Sequence, residues 1–337
     1  MARIHFLNVK EGDCSIIQHE NGHVTMIDVC NASITKVEDA DATHVLEKAF
    51  AIEALKGNFN QKAHPTNPIE YLNGIGVGEI FRYIQTHPDM DHMDGLAAID
   101  RTFKIINFWD VDNNKETDFS SAAASRYDVN DWTCYQRLRK SKDNPKALFL
   151  LDGAKGKYFS SDDKGVKSDD YLQILSPTQA LIDAAKSSQK WNDSSYVVLY
   201  HIHGRKVLFC GDADKETIAH LVTNHRSDIS NIDVLIAPHH GRDSDKDFSF
   251  LDIMRPKITL FGNADSDDMA YQPWINKGLP KFTNNEVGNV MIEITATSFE
   301  IYGSYKSFVD KFRTKNNFSE TFPHPSVPGM WLLLRIK

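Results

Sequence analysis

Residues 85–96 read QTHPDMDHMDGL and crowd two histidines and three aspartates into the eight positions from His87 to Asp94. Grouped carboxylates repel one another, and unpaired charge is costly to desolvate, so such a cluster is tolerated chiefly where a cation sits. Pro88 disfavours helix at His87 and favours an extended backbone there. In an extended segment residues two apart point the same way, so His87 and Asp89 face a common point. Asp91 and His92 come at the turn into the following helix and face a second point nearby. A pair of adjacent divalent ions uses all four side chains, because imidazole and carboxylate suit zinc or manganese. The plainer alternative is a surface loop with an aspartate helix cap. A chance match to four such positions is rare at ordinary residue usage.

Outward from this stretch, "IFRYIQT" reads as a buried strand that delivers His87 at its C-terminal end, and "GLAAIDRTFK" after it has helical spacing. Two further strand ends carry similar chemistry. "KVLFCGDAD" is an apolar run ending in Gly211 and Asp212; the glycine lets the chain turn sharply, and a carboxylate with two oxygens can bridge two ions. "VLIAPHHGRDS" is stopped by Pro238 and followed at once by His239 and His240. Each is weak evidence alone. Three such ends can converge on one edge of a sheet system.

The first thirty residues predict a β meander with an Asn21-Gly22 turn. "HVLEKAFAIEALKG" reads as a helix ending at Gly57. From Asn107 to about Asp170 periodicity fades, which reads as an insertion with some helix around Asp131–Lys140 that shapes access and adds little to the core. Strands return with "YLQILSP", "YVVLYHIHG", "KVLFCGD", "IDVLIAPHHG" and "KITLFGN", with a helix at "KETIAHLVTNH". The pattern predicts an α/β chain of mixed sheets covered by helices, in one domain over 1–337 with insertions at about 31–75 and 107–170.

The 337 residues are 41% hydrophobic and 25% charged, with a formal net charge of -8. That argues against a surface built mainly to grip nucleic acid. Cys14, Cys30, Cys134 and Cys210 form no CxxC pair, which fits a reducing compartment rather than a disulfide framework. No apolar leader and no stretch of about 20 apolar residues is present, so a cytoplasmic protein with no membrane association is expected.

The order of these motifs resembles the metallo-β-lactamase superfamily of metallohydrolases, and most closely the branch that includes the nuclease-like domain of the ComEC competence channel. "FLNVKEGDCSIIQHENGHVTMIDV" looks like that branch's FxDVGQGDxxLI…G…LIDxG opening. "THPDMDHMDGL" matches HPDxDHxGGL, and "IDVLIAPHHGRDS" resembles DVLKVPHHGSxxS. "NDSSYVVLYHIHGRKVLFCGDAD", "RPKITLFGNAD" and "FTNNEVGNVMIEI" resemble its other segments. The resemblance implies a four-layer αββα sandwich with a dinuclear site at one edge. It implies His87, Asp89, Asp91, His92, Asp212 and His239 as ligands of two divalent ions, zinc or manganese, and Asp28 as a buried acid bracing the HPDxDH loop from behind. Asp91 and Asp212 count among the catalytic residues as well, and His240, Ser244 and Arg242 are expected to contact a phosphate.

The chain departs from that pattern at several positions. Lys10 and Glu11 replace Gly-Gln, Cys30 stands near the usual Gly, Asp94 replaces a Gly, and Arg242 replaces a Ser. A late histidine before a proline appears as Gln272 before Pro273, an amide that is a weaker ligand. Asn192, Asp193 and Asp265 are the other candidates for that position. The resemblance implies a metal-dependent hydrolase of phosphodiesters, a phosphodiesterase or nuclease. A lactam or thioester hydrolase, or a non-catalytic metal-binding regulatory module, are the alternatives. The expected partner is a phosphodiester substrate, nucleic acid or nucleotide, and no protein-partner motif is legible. The basic stretch at Arg137, Arg139, Lys140, Lys142 and Lys146, near Trp132 and Tyr135, reads either as a nucleic-acid strip or, the favoured reading, as a solvated helix face.

Overall fold

The computed structural model describes residues 1–34, 59–156, 169–244, 246–318 and 321–336. The helix read at "HVLEKAFAIEALKG" lies outside the described residues.

Strands β1 (Ala2–Phe6), β2 (Ser15–Gln18), β3 (Val24–Ile27), β4 (Glu79–Ile84), β5 (Lys104–Trp109) and β6 (Lys146–Leu148) belong to one sheet. So do β13 (Val290–Ile294), β14 (Phe299–Gly303) and β15 (Trp331–Arg335), in the order β15-β14-β13-β1-β2-β3-β4-β5-β6. The second sheet runs β12-β11-β10-β9-β8-β7. Its strands are β7 (Asp170–Ser176), β8 (Val197–Ile202), β9 (Arg205–Phe209), β10 (Val234–Ile236), β11 (Ile258–Phe261) and β12 (Lys281–Thr283). Both sheets are mixed. The β3 to β6 and β9 to β12 portions are parallel, and the other pairings are antiparallel.

Side chains alternate across a strand, and here both faces are apolar. Ile27, Ile84, Trp109, Phe209, Ile236 and Leu260 point into a core shared by the two sheets. Their neighbours Met26, Tyr83 and Phe108 pack outward against helices α1 (Pro68–Gly74), α2 (Leu96–Thr102) and α3 (Val129–Leu138). On the other side Leu208, Leu235 and Phe261 pack against α5 (Lys215–Asn224), α6 (Phe250–Met254) and α7 (Tyr271–Asn276), while α4 (Gln179–Ser188) follows β7. Helix, sheet, sheet, helix is the layer order, an αββα sandwich. Strands buried on both faces read as continuous apolar runs, which is why they were legible.

The stretch from Asn107 to Asp170 differs from expectation. Asn107–Trp109 completes β5, a strand hidden in sequence because "FKIINFW" follows the helix without a turn signal. Helix α3 buries Cys134, Tyr135 and Leu138, and β6 extends the larger sheet. The described part of this stretch therefore contributes to the core. The C-terminal apolar residues form β15 against β14. All four cysteines are free and buried. No helix among the described residues is long and apolar enough to cross a membrane.

Candidate metal centre

Ligands in open sheets collect beyond the carboxyl ends of parallel strands, and here both sheets present such ends together. Asp28 follows β3, His87 follows β4, Asp212 follows β9, and His239 and His240 follow β10. The turns that aim them use rarely populated backbone. Asp28, His239 and His240 have φ of 55°, 54° and 56°, a conformation that costs a side-chain-bearing residue about 1–3 kcal/mol and is typical of functional sites. Gly12 at φ +90° lets its loop touch the motif: a Cβ there would sit 2.0 Å from the Asp91 carbonyl oxygen.

Asp212 is the centre, and its two oxygens face different residues. Oδ1 lies 3.1 Å from His92 Nε2 and 3.3 Å from His240 Nε2. Oδ2 lies 3.8 Å from His87 Nε2 and 3.5 Å from His239 Nε2. Asp89 Oδ2 is 3.6 Å from His87 Nε2, and Asp91 Oδ2 is 4.0 Å from His240 Nε2. Two half-sites result: His87, Asp89 and His239 on one side of Asp212, and Asp91, His92 and His240 on the other. The second is the tighter, with one ligand atom from each of Asp91, His92, Asp212 and His240 all within 4.8 Å of one another.

Each imidazole is turned by an oxygen behind it. His92 Nδ1 donates to Asp28 Oδ2 at 2.8 Å, and His240 Nδ1 to Asp13 Oδ1 at 3.0 Å. Carboxylates only accept, so each Nδ1 carries a proton and each Nε2 is turned toward Asp212. Thr86 Oγ1 donates to Asp28 at 2.6 Å and so is free to accept from His87 Nδ1 at 3.0 Å. Ser244 Oγ donates to Asp214 at 2.9 Å and stands 3.2 Å from His239 Nδ1. Such partners fix the tautomer and orientation of metal-binding histidines.

The centre fits a cation. His87 Nε2 and Asp212 Oδ1 are buried without a hydrogen-bond partner. His92 and His240 face each other Nε2 to Nε2 at 3.3 Å, about the edge of a tetrahedron whose ligands stand roughly 2.05 Å from zinc. An isolated buried ion costs several kcal/mol in desolvation, so positive charge must enter as protons or metal. Protons show the demand. Burial lowers the basicity of His240, yet Asp212 and Asp13 outweigh it and push the pKa up to about 10. His92 moves the same way, burial being overcome by Asp212 and Asp28. Burial would raise the Asp212 pKa, but His240, His92 and His239 hold it well below the usual carboxylate range. Burial likewise opposes the lowering of Asp89, which His87 and Lys115 enforce.

Several expectations land elsewhere. His240, read as a phosphate contact, points its ring at Asp212 between Asp13 and His92. Ser244 stands behind His239 rather than before it. Arg242 Nη2 is engaged by Asp268 at 3.2 Å. Gln272 is exposed on α7 and donates to Asn276 Oδ1 at 2.6 Å, so the structure does not bring it to the cluster. An exposed amide at the start of a helix has no reason to turn inward when its i+4 neighbour satisfies it. Asn192 and Asp193 line the cleft beside Asp89, whereas Asp265 lines a separate one with Lys10 and Arg126. In the basic stretch, Arg137 pairs with Asp100 and Arg139 Nε with buried Asp110 at 2.8 Å, and Tyr135 is fully buried. Lys140, Lys142 and Lys146 are exposed. Sequence reasoning missed Asp13 and Lys115 as site residues. Asp13 carried a signal, since it stands in the Gly-Asp of the opening segment, while Lys115, which pairs with Asp89, carried none.

The chain matches no family model and no curated protein. Among solved structures it is similar to a protein described as a Zn-dependent hydrolase of the metallo-β-lactamase superfamily from Thermotoga maritima, at 9% identity over 81% of this chain and 85% of that one, TM-score 0.34. It is similar to human tRNase Z, short form, at 12% identity over 80% and 95% of the two chains, TM-score 0.37. It is also similar to unliganded yeast PDE1, at 11% identity over 70% and 75%, TM-score 0.35.

Proposed function

We propose that the protein is a dinuclear metal-dependent hydrolase of small phosphodiesters. The observation that carries the hydrolase reading is the convergence of four Nε2 atoms on the two oxygens of Asp212, each ring fixed from behind by Asp28, Asp13, Thr86 or Ser244. His87, Asp89, His239 and Asp212 Oδ2 would hold one ion, and Asp91, His92, His240 and Asp212 Oδ1 the other. Two divalent ions in such a pair supply an acidified water and charge neutralisation at a phosphoryl oxygen. The chain's own part is to keep the four rings in one tautomer and to bury Asp212 where its charge is fully felt.

The phosphodiester class rests on the motif resemblance, HPDxDH and PHHG above all. The size of the substrate rests on the cleft. A cavity of about 720 Å³ opens beside Asp89 and Ser244, walled by Trp191 and Asn192. Its charge is mixed: Lys115, Lys190 and Lys215 stand among Asp89, Glu116, Asp193, Asp214 and Glu216. That many acids oppose a long polyanion, whose affinity needs many unopposed cations. Together with the pairing of Arg137 and Arg139 this favours a nucleotide-sized diester over a nucleic-acid strand. Metal content measured beside turnover of bis(p-nitrophenyl) phosphate and of a single-stranded oligonucleotide tests the reading. Metal with turnover of the small diester is the expected result. A metal-free, inactive protein after reconstitution with zinc and with manganese would overturn it.

A further inference from the structure

A second cluster of metal-ligand type lies away from the centre. Asp152, His220 and His225 each bring one ligand atom to within 4.8 Å of the others. His220 lies on α5 and His225 just past its end, about 15 Å along the helix from the Lys215 end that opens near Asp212. Asp152 comes from the segment after β6. Its backbone N–H donates to the Pro177 carbonyl at 2.8 Å, and that of Gly153 to Ile174 at 3.2 Å, which fixes the carboxylate beside the end of β7.

A single carboxylate oxygen serves both rings. Asp152 Oδ2 is 2.9 Å from His225 Nε2 and 3.2 Å from His220 Nε2. Behind His225, Nδ1 meets Asp228 Oδ2 at 3.0 Å. Asp228 can only accept, so Nδ1 carries a proton and Nε2 is the nitrogen left facing Asp152 Oδ2. A cation belongs between that nitrogen and the oxygen: a proton when no metal is bound, displaced when an ion takes the position. His220 Nε2 donates to the Leu175 carbonyl at 3.1 Å and its Nδ1 accepts from Asn224 Nδ2 at 3.0 Å, so an ion bound at Nε2 takes the place of that proton. The separations of 2.9–3.2 Å are close to the roughly 3.3 Å edge expected around a tetrahedral ion with ligands near 2.05 Å. The carboxylate–histidine pairing of Asp228 with His225 is the kind that supports metal ligands from outside.

We propose that Asp152, His220 and His225 form a further binding site for one imidazole-preferring divalent ion of the zinc, cobalt or nickel class. Two neutral imidazoles and one carboxylate favour these ions over magnesium or calcium. The ion ties the segment after β6 to α5 and so joins the edge of the larger sheet to the helix layer of the smaller one. The site is independent of the hydrolase reading and uses none of its residues.

Zinc binding to the full chain, freed of metal by chelator dialysis, tests this with zinc alone as probe. Isothermal titration and bound-metal analysis compare the wild type with Asp152→Asn, His225→Gln and Asp212→Ala. Asp152→Asn and His225→Gln are expected to bind one equivalent less than wild type, and their melting temperature should lose one zinc-dependent increment that Asp212→Ala retains. The two conservative variants keep size and hydrogen bonding, so a folded protein is available for comparison. Unchanged stoichiometry in both would overturn the site. So would an imidazole of His225 whose NMR nitrogen shifts follow pH but not zinc, which would make the bridging cation a proton.

Discussion

His92 and His240 stand 148 residues apart in the chain and 3.3 Å apart at their Nε2 atoms. Each is pinned at Nδ1 by a different aspartate, Asp28 for one and Asp13 for the other. Two rings held this way cannot rotate apart to relieve their contact, so the pair is a preformed half-site. The other half, around His87 and His239, has longer separations. Two sites of unequal affinity are therefore expected, the Asp91–His92–His240 site filling first. Titration of the metal-free protein with cobalt, followed by its visible spectrum, should show two phases, with the first lost in His240→Ala. Two equal, simultaneous phases would contradict the assignment.

Asp212→Ala should abolish activity and lower the metal content at both half-sites. His239→Ala and His240→Ala should each weaken mainly one. Even partners outside the ligand shell cost about 10–100-fold in affinity or activity, so losing the bridging carboxylate should exceed that range. Wild-type activity in Asp212→Ala would sink the arrangement.

Asp13→Ala leaves every proposed ligand in place but frees His240 Nδ1. A loss of about 10–100-fold in affinity for the first ion is expected, with the second ion little affected. Asp13→Asn should recover part of it, because the amide oxygen still accepts. Equal affinities in Asp13→Ala and wild type would mean that packing alone orients the ring.

Gln272→His should change neither metal content nor turnover. Position 272 is exposed and paired with Asn276 on α7, and a ring there has no path to the cluster without unwinding the helix. A gain in bound zinc would show that this segment moves toward the centre.

The metal-free protein should lose stability as pH rises from about 6.5 toward 10. His240 is pushed up to about 10 in the fold, Asp212 and Asp13 prevailing over burial, against about 6.5 for an unfolded histidine. The folded chain thus holds the extra proton across that interval, and stability falls with pH wherever the native state binds more protons. Urea unfolding of metal-free protein at pH 6 and pH 9 should show the drop, reduced in His240→Gln. Saturating metal should reverse the trend, since the ion replaces the proton.

The strand-end acids and imidazoles were legible in sequence because each is a local event. An apolar run stops at a proline or glycine, and the polar residue after it must lie at an edge. "IFRYIQTHPD", "LFCGD" and "LIAPHH" all announce themselves this way, and their doubly apolar strands announce a sandwich. What local pattern could not supply was which ring meets which oxygen. The roles of His239 and His240 depend on left-handed backbone at both positions, which turns consecutive side chains to opposite sides of Asp212. Asp13 reaches His240 only because two sheets close on each other. Gln272 was misplaced by analogy of position, and its hydrogen bond to a helix neighbour keeps it outside. Local pattern was enough to place acids and imidazoles at particular strand ends. The tertiary structure alone decided how those groups pair, because pairing depends on distances between segments that are far apart in the chain.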